Sequence, residues 1–326
     1  MTTHPYDRLT PDMIIDAVES AGYLSDARLL ALNSYENRVY QVGIEDSTPL
    51  IAKFYRPERW SEAQILEEHR FSLELQDAEI SVVAPMVNDQ GASLHTFEGF
   101  QFALFLRRGG YPPELDNLDN MLVLGRTLGR IHAVGRAGQF KVRHSMSVQR
   151  MLSNSRELLL EKFIPRDLVP AYESLTADLE QQVRSVFSEV QPEDFISIHG
   201  DCHVSNILWR DNTAHFVDFD DCCAAPAMQD LWMFLNGERH DRQLQLSELV
   251  EGYSEFCDFD PRQIRWIETL RILRLIHYAA WLGRRWEDPA FPRSFTWFNT
   301  ERYWADHILE LREQMSALQE EPLQLL

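Results

Sequence analysis

The sequence is short of positive charge: 31 Lys and Arg stand against 51 Asp and Glu, for a formal charge of −20. A surface that negative repels phosphate backbones and anionic headgroups, which argues against nucleic acid or a membrane as partner. Cysteine is nearly absent. Cys202, Cys222, Cys223 and Cys257 form no CxxC pair and no metal-ligand spacing, so neither a disulfide framework nor a zinc site is expected. The adjacent Cys222 and Cys223 are poorly placed to bond to each other, and four free thiols are expected. Long apolar runs are missing too: none approaches the roughly 20 residues a membrane helix needs. Met1–Leu9 is polar, with no apolar segment of a signal peptide. These absences together predict a cytoplasmic protein with reduced thiols.

What the sequence has in quantity is apolar and aromatic surface. Hydrophobic residues make up 44% of 326, with eight Trp and 18 Phe, enough for two lobes with separate cores and too aromatic for a disordered chain. Residues 11–21 read as a short helix with Pro11 near its start and Gly22 after its end. Val39–Ile44 and Leu50–Phe54 read as a strand pair around the polar turn Glu45–Pro49. Residues 61–76 predict a helix capped by Ser61. Strand-like segments follow at Val82–Val83 and Phe100–Leu106, around a turn at Asn88–Gly91. Beyond Gly109–Gly110 the pattern turns helical, over residues 118–134, 171–190, 243–256 and 262–286, the last stopping near Pro289. Short strands interrupt it only at residues 195–219. The expected division is an N-terminal lobe, residues 1–106, and a C-terminal lobe, residues 107–326, with a hinge near Phe105–Arg107.

The chemistry is concentrated in residues 195–221, FISIHGDCHVSNILWRDNTAHFVDFDD. His199-x-Asp201, then four residues, then Asn206 reproduces the H-x-D-x-x-x-x-N pattern of kinase catalytic loops. Asp218-Phe219-Asp220 follows 12 residues after Asn206, where protein kinases place D-F-G. Phosphoryl transfer needs one carboxylate to accept or orient the hydroxyl proton, a role that falls to Asp201. It also needs hard oxygen ligands for Mg²⁺, which suit Asn206 and Asp218. His199 and His203 read as braces of the loop rather than proton carriers. Upstream, Lys53 ends the apolar strand LIAKF, as does the lysine that contacts nucleotide phosphates. A Glu of the next helix should pair with it. Glu67 and Glu68, 14 and 15 residues on, both fit, and Glu68 is preferred. No GxGxxG precedes the first hairpin strand; the chain there reads Asn33-Ser34-Tyr35-Glu36-Asn37-Arg38. Without glycine the backbone cannot come as close to phosphates, so the side chains of Ser34, Asn37 or Arg38 are candidate substitutes. No A-P-E follows Asp218, and Asp220 to Asp230 is too short for a phosphorylated activation loop.

HGDCHVSNILW, the following DFDD and Gln229-Asp230-Leu231-Trp232 resemble the aminoglycoside phosphotransferase/choline kinase superfamily. The blocks NSYENRVYQ, KFYRPERW, QILEEH, HGDCHVSNILWRD, AWLGRRWEDPAFP and EPLQL narrow the resemblance to the bacterial stress response kinase A (YihE/RdoA) family, over nearly the whole chain. That resemblance implies an α+β, two-lobed protein-kinase-like fold: a small lobe with an antiparallel sheet, a larger mainly helical lobe, and ATP between them. It implies an ATP- and Mg²⁺-dependent serine/threonine protein kinase, cytoplasmic and monomeric, tied to envelope and oxidative stress. Asp201 would be the proton acceptor, Asn206 and Asp218 the Mg²⁺ ligands and Ser34 a contact of the ATP loop. Val204-Ser205 departs from the small residue and Gly common in the superfamily. The catalytic loop equally serves a small-molecule kinase acting on an amino alcohol, sugar or antibiotic. A catalytically dead binding module is disfavoured by the intact Lys53, Asp201, Asn206 and Asp218. Arg271, Arg274, Arg284 and Arg285 read either as internal salt-bridge partners or as a basic patch near the acceptor.

Overall fold

A computed structural model describes residues 6–326; Met1–Pro5, part of the polar stretch read above, lie outside the described residues. The first helix, α1 (Pro11–Ser20), starts where Thr10 accepts a hydrogen bond from the Met13 backbone N–H at 3.3 Å. An antiparallel sheet follows in the order β1-β2-β3-β5-β4. Its strands are β1 (Ser25–Ala31), β2 (Arg38–Ile44), β3 (Leu50–Phe54), β4 (His95–Phe97) and β5 (Phe100–Leu106). Alternation along β3 sorts its side chains. Ala52 and Phe54 join Val42, Phe102 and Leu104 against Ile14 and Val18 of α1, while Lys53 points to the opposite face.

The hairpin of β2 and β3 lies where the sequence places it. β1 was not anticipated, because SDARLLA does not alternate cleanly and carries a register shift between Ser25 and Leu29. Val82–Val83 is not a strand: Val82 makes one isolated bridge to Phe216 of the other lobe. β4 pairs with β5 instead.

Helix α2 (Glu62–Asp77) begins with a capping box between Ser61 and Gln64, the local signal that ends the preceding loop. It buries Ile65, Phe71 and Leu75 but also Glu67, Glu68 and His69. Phe71 and Leu75 belong to the core of the larger lobe, so α2 packs across the boundary rather than on the sheet alone.

That larger core is built by α3 (Leu118–Ala137), α4 (Asn154–Lys162), α5 (Val169–Phe187), α6 (Met228–Leu231), α7 (Arg239–Ser254), α8 (Ile267–Arg284), α9 (Ala290–Ser294) and α10 (Glu301–Ala317). The helical pattern at 262–286 divides into a 3₁₀ stretch, Pro261–Trp266, and α8. The strands beneath the site form two ribbons rather than one group of three. β6 (Phe195–Ile198) pairs with β9 (Cys223–Pro226), and β7 (Ile207–Arg210) pairs with β8 (Thr213–Phe216). β9 escaped the sequence reading because CAAP is short, does not alternate and ends in proline. All four cysteines are free and buried. Among the described residues no helix is long and apolar enough to cross a membrane.

Helices α3 and α7 touch backbone to backbone. A Cβ on Gly125 would lie 2.1 Å from the Leu249 carbonyl oxygen, and one on Gly252 2.2 Å from that of Leu122. Gly125→Ala should therefore cost about 1–3 kcal/mol, the usual range for overpacking. Gly109→Ala, which has nothing within 4 Å of the added carbon, should be close to neutral. Urea denaturation of the two variants side by side checks this, and equal midpoints would contradict it.

Candidate active site

The loop after β6 is fixed before any ligand arrives. Gly200 has φ +85°, and a Cβ there would sit 2.3 Å from the Asp221 carbonyl oxygen, so only glycine fits. The fully buried Asp230 carboxylate accepts the backbone N–H of His199 at 2.8 Å and of Gly200 at 2.9 Å, and pairs with His132 Nε2 at 3.0 Å. His199 Nε2 donates to the Val217 carbonyl at 2.9 Å, so its Nδ1 accepts from the Asp201 N–H at 3.3 Å. His199 thus ties the Asp201 loop to the segment that presents Asp218.

Asp201 lies 2.7 Å from the Arg274 guanidinium and 3.4 Å from His203 Nε2. Burial pushes its carboxyl up, but the His203 hydrogen bond and the Arg274 charge outweigh that and hold it well below the usual range. Asn206 donates from Nδ2 to the Asp201 carbonyl at 2.9 Å, and its own carbonyl accepts the Val217 N–H at 3.0 Å. The β7–β8 ribbon therefore sets Asn206 across from the residue before Asp218. Asp218 adopts a left-handed backbone, φ 60° and ψ 67°, which a non-glycine residue holds only under constraint and which clusters at functional sites.

Lys53 is 6% exposed and is the hub of the site. Its Nζ lies 2.9 Å from Asp218, 3.2 Å from Asp220 and 3.4 Å from Glu68. Burial opposes the charge, but the three carboxylates raise the lysine well above its ordinary value. Glu68 also receives Arg143 Nη2 at 2.7 Å, and Asp220 and Asp221 both pair with Arg59, the latter at 2.6 Å. Burial pushes Glu68 up. For Asp220, burial is outweighed by Arg59, Lys53 and Arg143, which hold it low. Glu67 faces elsewhere and accepts the backbone N–H groups of Lys141 (2.7 Å), Val142 (2.8 Å) and Arg143 (2.7 Å).

Thus Lys53, Glu68 and Asp218 meet directly, and Asp201, Asn206 and Asp218 share one loop system. Ser34 does not join them, and Asn37 reaches the cluster only at Asp220. The Ser34 hydroxyl donates to the Asn37 carbonyl at 3.1 Å, and the buried Asn37 side chain accepts the Arg56 N–H at 3.1 Å and bonds Asp220. Ser34 serves the framework of its own turn, while Asn37 braces Arg56 and Asp220.

Sequence reasoning missed Arg59, Arg143, Asp230 and Glu36. Glu36, Arg59 and Asp230 sit inside blocks the resemblance picked out, but nothing local marks their partners. Glu36 accepts from Trp281 Nε1 at 2.8 Å and pairs with Arg285, joining the turn to α8.

The donor set suits a hard divalent cation shared with phosphates. Among the described residues the Asn206 amide oxygen accepts no hydrogen bond, the Asp218 carboxylate is half exposed, and no group of three His, Cys, Asp or Glu forms a closed cage. Asn206 and Asp218 are the residues that would hold it.

Residues 28–267 match the phosphotransferase enzyme family. The chain is 45% identical over 323 residues to stress response kinase A of Escherichia coli (strain K12), covering 98% of this chain and 97% of that one. It is 43% identical over the same shares to serine/threonine protein kinase RdoA of Salmonella typhimurium (strain LT2). Among solved structures it is similar to the amicoumacin kinase hAmiN in complex with AMP-PNP, Ca²⁺ and Ami, with a TM-score of 0.76 at 19% identity, covering 95% of this chain and 94% of that one. A microcompartment-associated aminopropanol kinase gives 0.73 at 18% identity, covering 96% and 99%. These two likenesses establish the fold alone.

The three N–H groups on Glu67 carry a pH signature. Burial raises its carboxyl, but the backbone hydrogen bonds outweigh burial and set it below the ordinary 4.5. Its contribution to stability is therefore complete above the unfolded-chain value and is lost as pH falls through the lower folded value. Glu67→Gln should lose about 2 kcal/mol at pH 7. The gap to wild type should narrow on acidification below about pH 4. Melting curves across pH 3–7 read this directly; a gap constant with pH would refute the charge-based role.

Proposed function

This chain belongs to the phosphotransferase enzyme family, and within it to the stress response kinase A family; from that footing we propose that it is a serine/threonine protein kinase of the bacterial stress response, using ATP and Mg²⁺ with Asp201 as base. The observation that carries the reading is the convergence of Asp201, Asn206 and Asp218 on one braced loop system reached by Lys53.

In this reading Asp201 stays ionised and acts mainly by orientation. A carboxylate held this low is a weak base, and in a loose transition state the hydroxyl proton is given up late, so accepting and aiming the O–H counts for more than early deprotonation. Asn206 and Asp218 would hold the cation, which supplies charge neutralisation at the phosphates when bound. Divalent metal with nucleotide has a counterpart in the Ca²⁺ and AMP-PNP of the amicoumacin kinase complex; the choice of Mg²⁺ is supported by a pair of hard oxygen ligands shared with phosphates. Lys53, now on Asp218, would turn its ammonium toward the phosphates while Glu68 keeps it in place. The preference for a protein acceptor rests on the names of the near-full-length relatives, and the same resemblance favours a cytoplasmic monomer. The fold neighbours act on small molecules, which keeps a small-molecule hydroxyl as the second reading. Labelled ATP offered with generic protein substrates and with amino alcohols separates the two.

Asp201→Asn keeps the side-chain shape and removes its charge. The rate of transfer to a Ser or Thr hydroxyl should fall by about 10²–10⁴-fold. ATP affinity should change little, because Lys53, Asn206 and Asp218 remain, while the melting temperature should fall because Arg274 loses its carboxylate partner. Calorimetric ATP titration, a melting curve and a kinase assay on one preparation test this. A variant that binds ATP normally and keeps more than about a tenth of the rate removes Asp201 as the base.

A further inference from the structure

The chain carries a net charge of −20, yet the helix beside Asp201 presents cations. Arg274, Tyr278 and Trp281 on α8 and Arg285 at its C-cap recur at three- and four-residue spacing, so they share one side of the helix. That side begins at Asp201, 2.7 Å from Arg274, and ends at Glu36 of the glycine-free turn, which takes Trp281 Nε1 at 2.8 Å and pairs with Arg285. It therefore spans the acceptor side of the site, from the base to the other lobe.

The arginines that the sequence grouped together divide by partner. Arg271 is structural: it lies 3.7 Å from Glu268 and over the Trp232 ring at 5.2 Å. Arg274 and Arg285 have the carboxylates just named. Arg284 has none within ion-pair distance among the described residues and reaches only the Ser155 hydroxyl at 3.0 Å. Arg150, on the turn Gln149–Ser153 that packs on α8, is in the same position: it too has no carboxylate at ion-pair distance, although Asp221 lies within electrostatic reach. Both are exposed to solvent.

Both bear on His277, and Arg150 also on His144. Burial together with Arg284 and Arg150 brings His277 down to about 3, and burial together with Arg150, Arg143 and Arg59 does the same for His144. In a protein with 51 acidic residues, two exposed guanidinium groups without a carboxylate partner, clustered with Arg285 around His277 on the helix that carries Arg274, form a cationic patch to which an incoming anion can dock. A cationic amino alcohol would meet repulsion at the same place.

We propose that the site phosphorylates Ser or Thr hydroxyls in acidic peptide segments, with Arg284 and Arg150 receiving a flanking carboxylate or phosphoryl group. The inference rests on the protein-kinase reading above and specifies its substrate class. In the step itself the hydroxyl oxygen bonds the γ-phosphorus of ATP, the bond to the β–γ bridging oxygen breaks, ADP leaves, and the hydroxyl proton passes to Asp201.

The test is a peptide series with one Ser or Thr flanked by Glu, by phosphoserine, by Ala or by Lys, assayed with labelled ATP. Matching peptides with Ala at the acceptor position serve for binding by fluorescence anisotropy. Acidic or phosphorylated flanks should exceed Lys flanks by at least about tenfold in kcat/KM, chiefly through KM, with the gap shrinking as salt is raised. The phosphoserine and glutamate arms distinguish a primed from a plainly acidic substrate. Arg284→Lys should keep the preference; Arg284→Glu with Arg150→Glu should reverse it. Equal turnover and binding across the series would overturn this inference and leave the protein-kinase reading standing. Turnover of amino alcohols with no peptide phosphorylated would overturn both. The wild-type series decides alone if a variant fails to fold.

Discussion

The structure turns on one buried ammonium. Lys53 is almost sealed from water, where an isolated charge would lose its proton, and it stays charged only because Glu68, Asp218 and Asp220 surround it. Those carboxylates come from different places: Glu68 from α2, Asp218 and Asp220 from the end of β8. Holding the charge therefore fixes the sheet, the helix and the β7–β8 ribbon relative to one another. Three carboxylates on one lysine would be too many. Arg59 and Arg143 redress the balance, and Arg143 stacks on Trp60 at 4.5 Å so that its own desolvation is offset by ring contact. On the proposed reading, the exposed member Asp218 is the one free to exchange lysine for a cation, while the buried members keep the geometry.

A second, independent anchor sits below the first. Asp230 gathers two backbone N–H groups and His132, and His199 spans from that loop to Val217. Fully satisfied buried networks of this kind rigidify what they touch. The Asp201 loop is held from below by Asp230 and sideways by His199, leaving its carboxylate as the part that faces Arg274 and His203. The constrained left-handed backbone at Asp218 is tolerable because both of its flanks are pinned in this way.

Much of this was legible in the sequence where the signal was local. Ser61 and Gln64 announced α2, alternation announced β2 and β3, and the spacing from His199 through Asn206 to Asp218 announced the loop. What was not legible depends on partners far along the chain. Asp230 meets His132 98 residues away, Arg143 meets Glu68 75 residues away, and Glu36 meets Trp281 across 245. Glu67 and Glu68 show the limit most sharply. Adjacent helical residues point about 100° apart, so one faces Lys53 and the other faces residues 141–143, and no local pattern says which. Ser34 and Asn37 were attractive as polar groups in the right turn; Ser34 turns inward to satisfy the backbone of that turn, while Asn37 reaches Arg56 and Asp220.

That same turn explains how the site manages without a glycine-rich loop. A glycine loop owes its close approach to phosphates to freedom, which has to be lost on binding. Here Glu36 is held by Arg285 and Trp281 of α8, with Arg56 and Arg59 at 3.7 and 3.8 Å, so the turn is ordered in advance by the other lobe. The turn over the proposed nucleotide side is thereby bonded directly to the helix along the proposed acceptor side. Arg59 extends the link, since it also pairs with Asp220 and Asp221 next to Lys53. An anion arriving at Arg284 would draw on the same cluster of cations that holds Glu36. The two halves of the cleft would then be coupled through shared electrostatics rather than through a flexible flap.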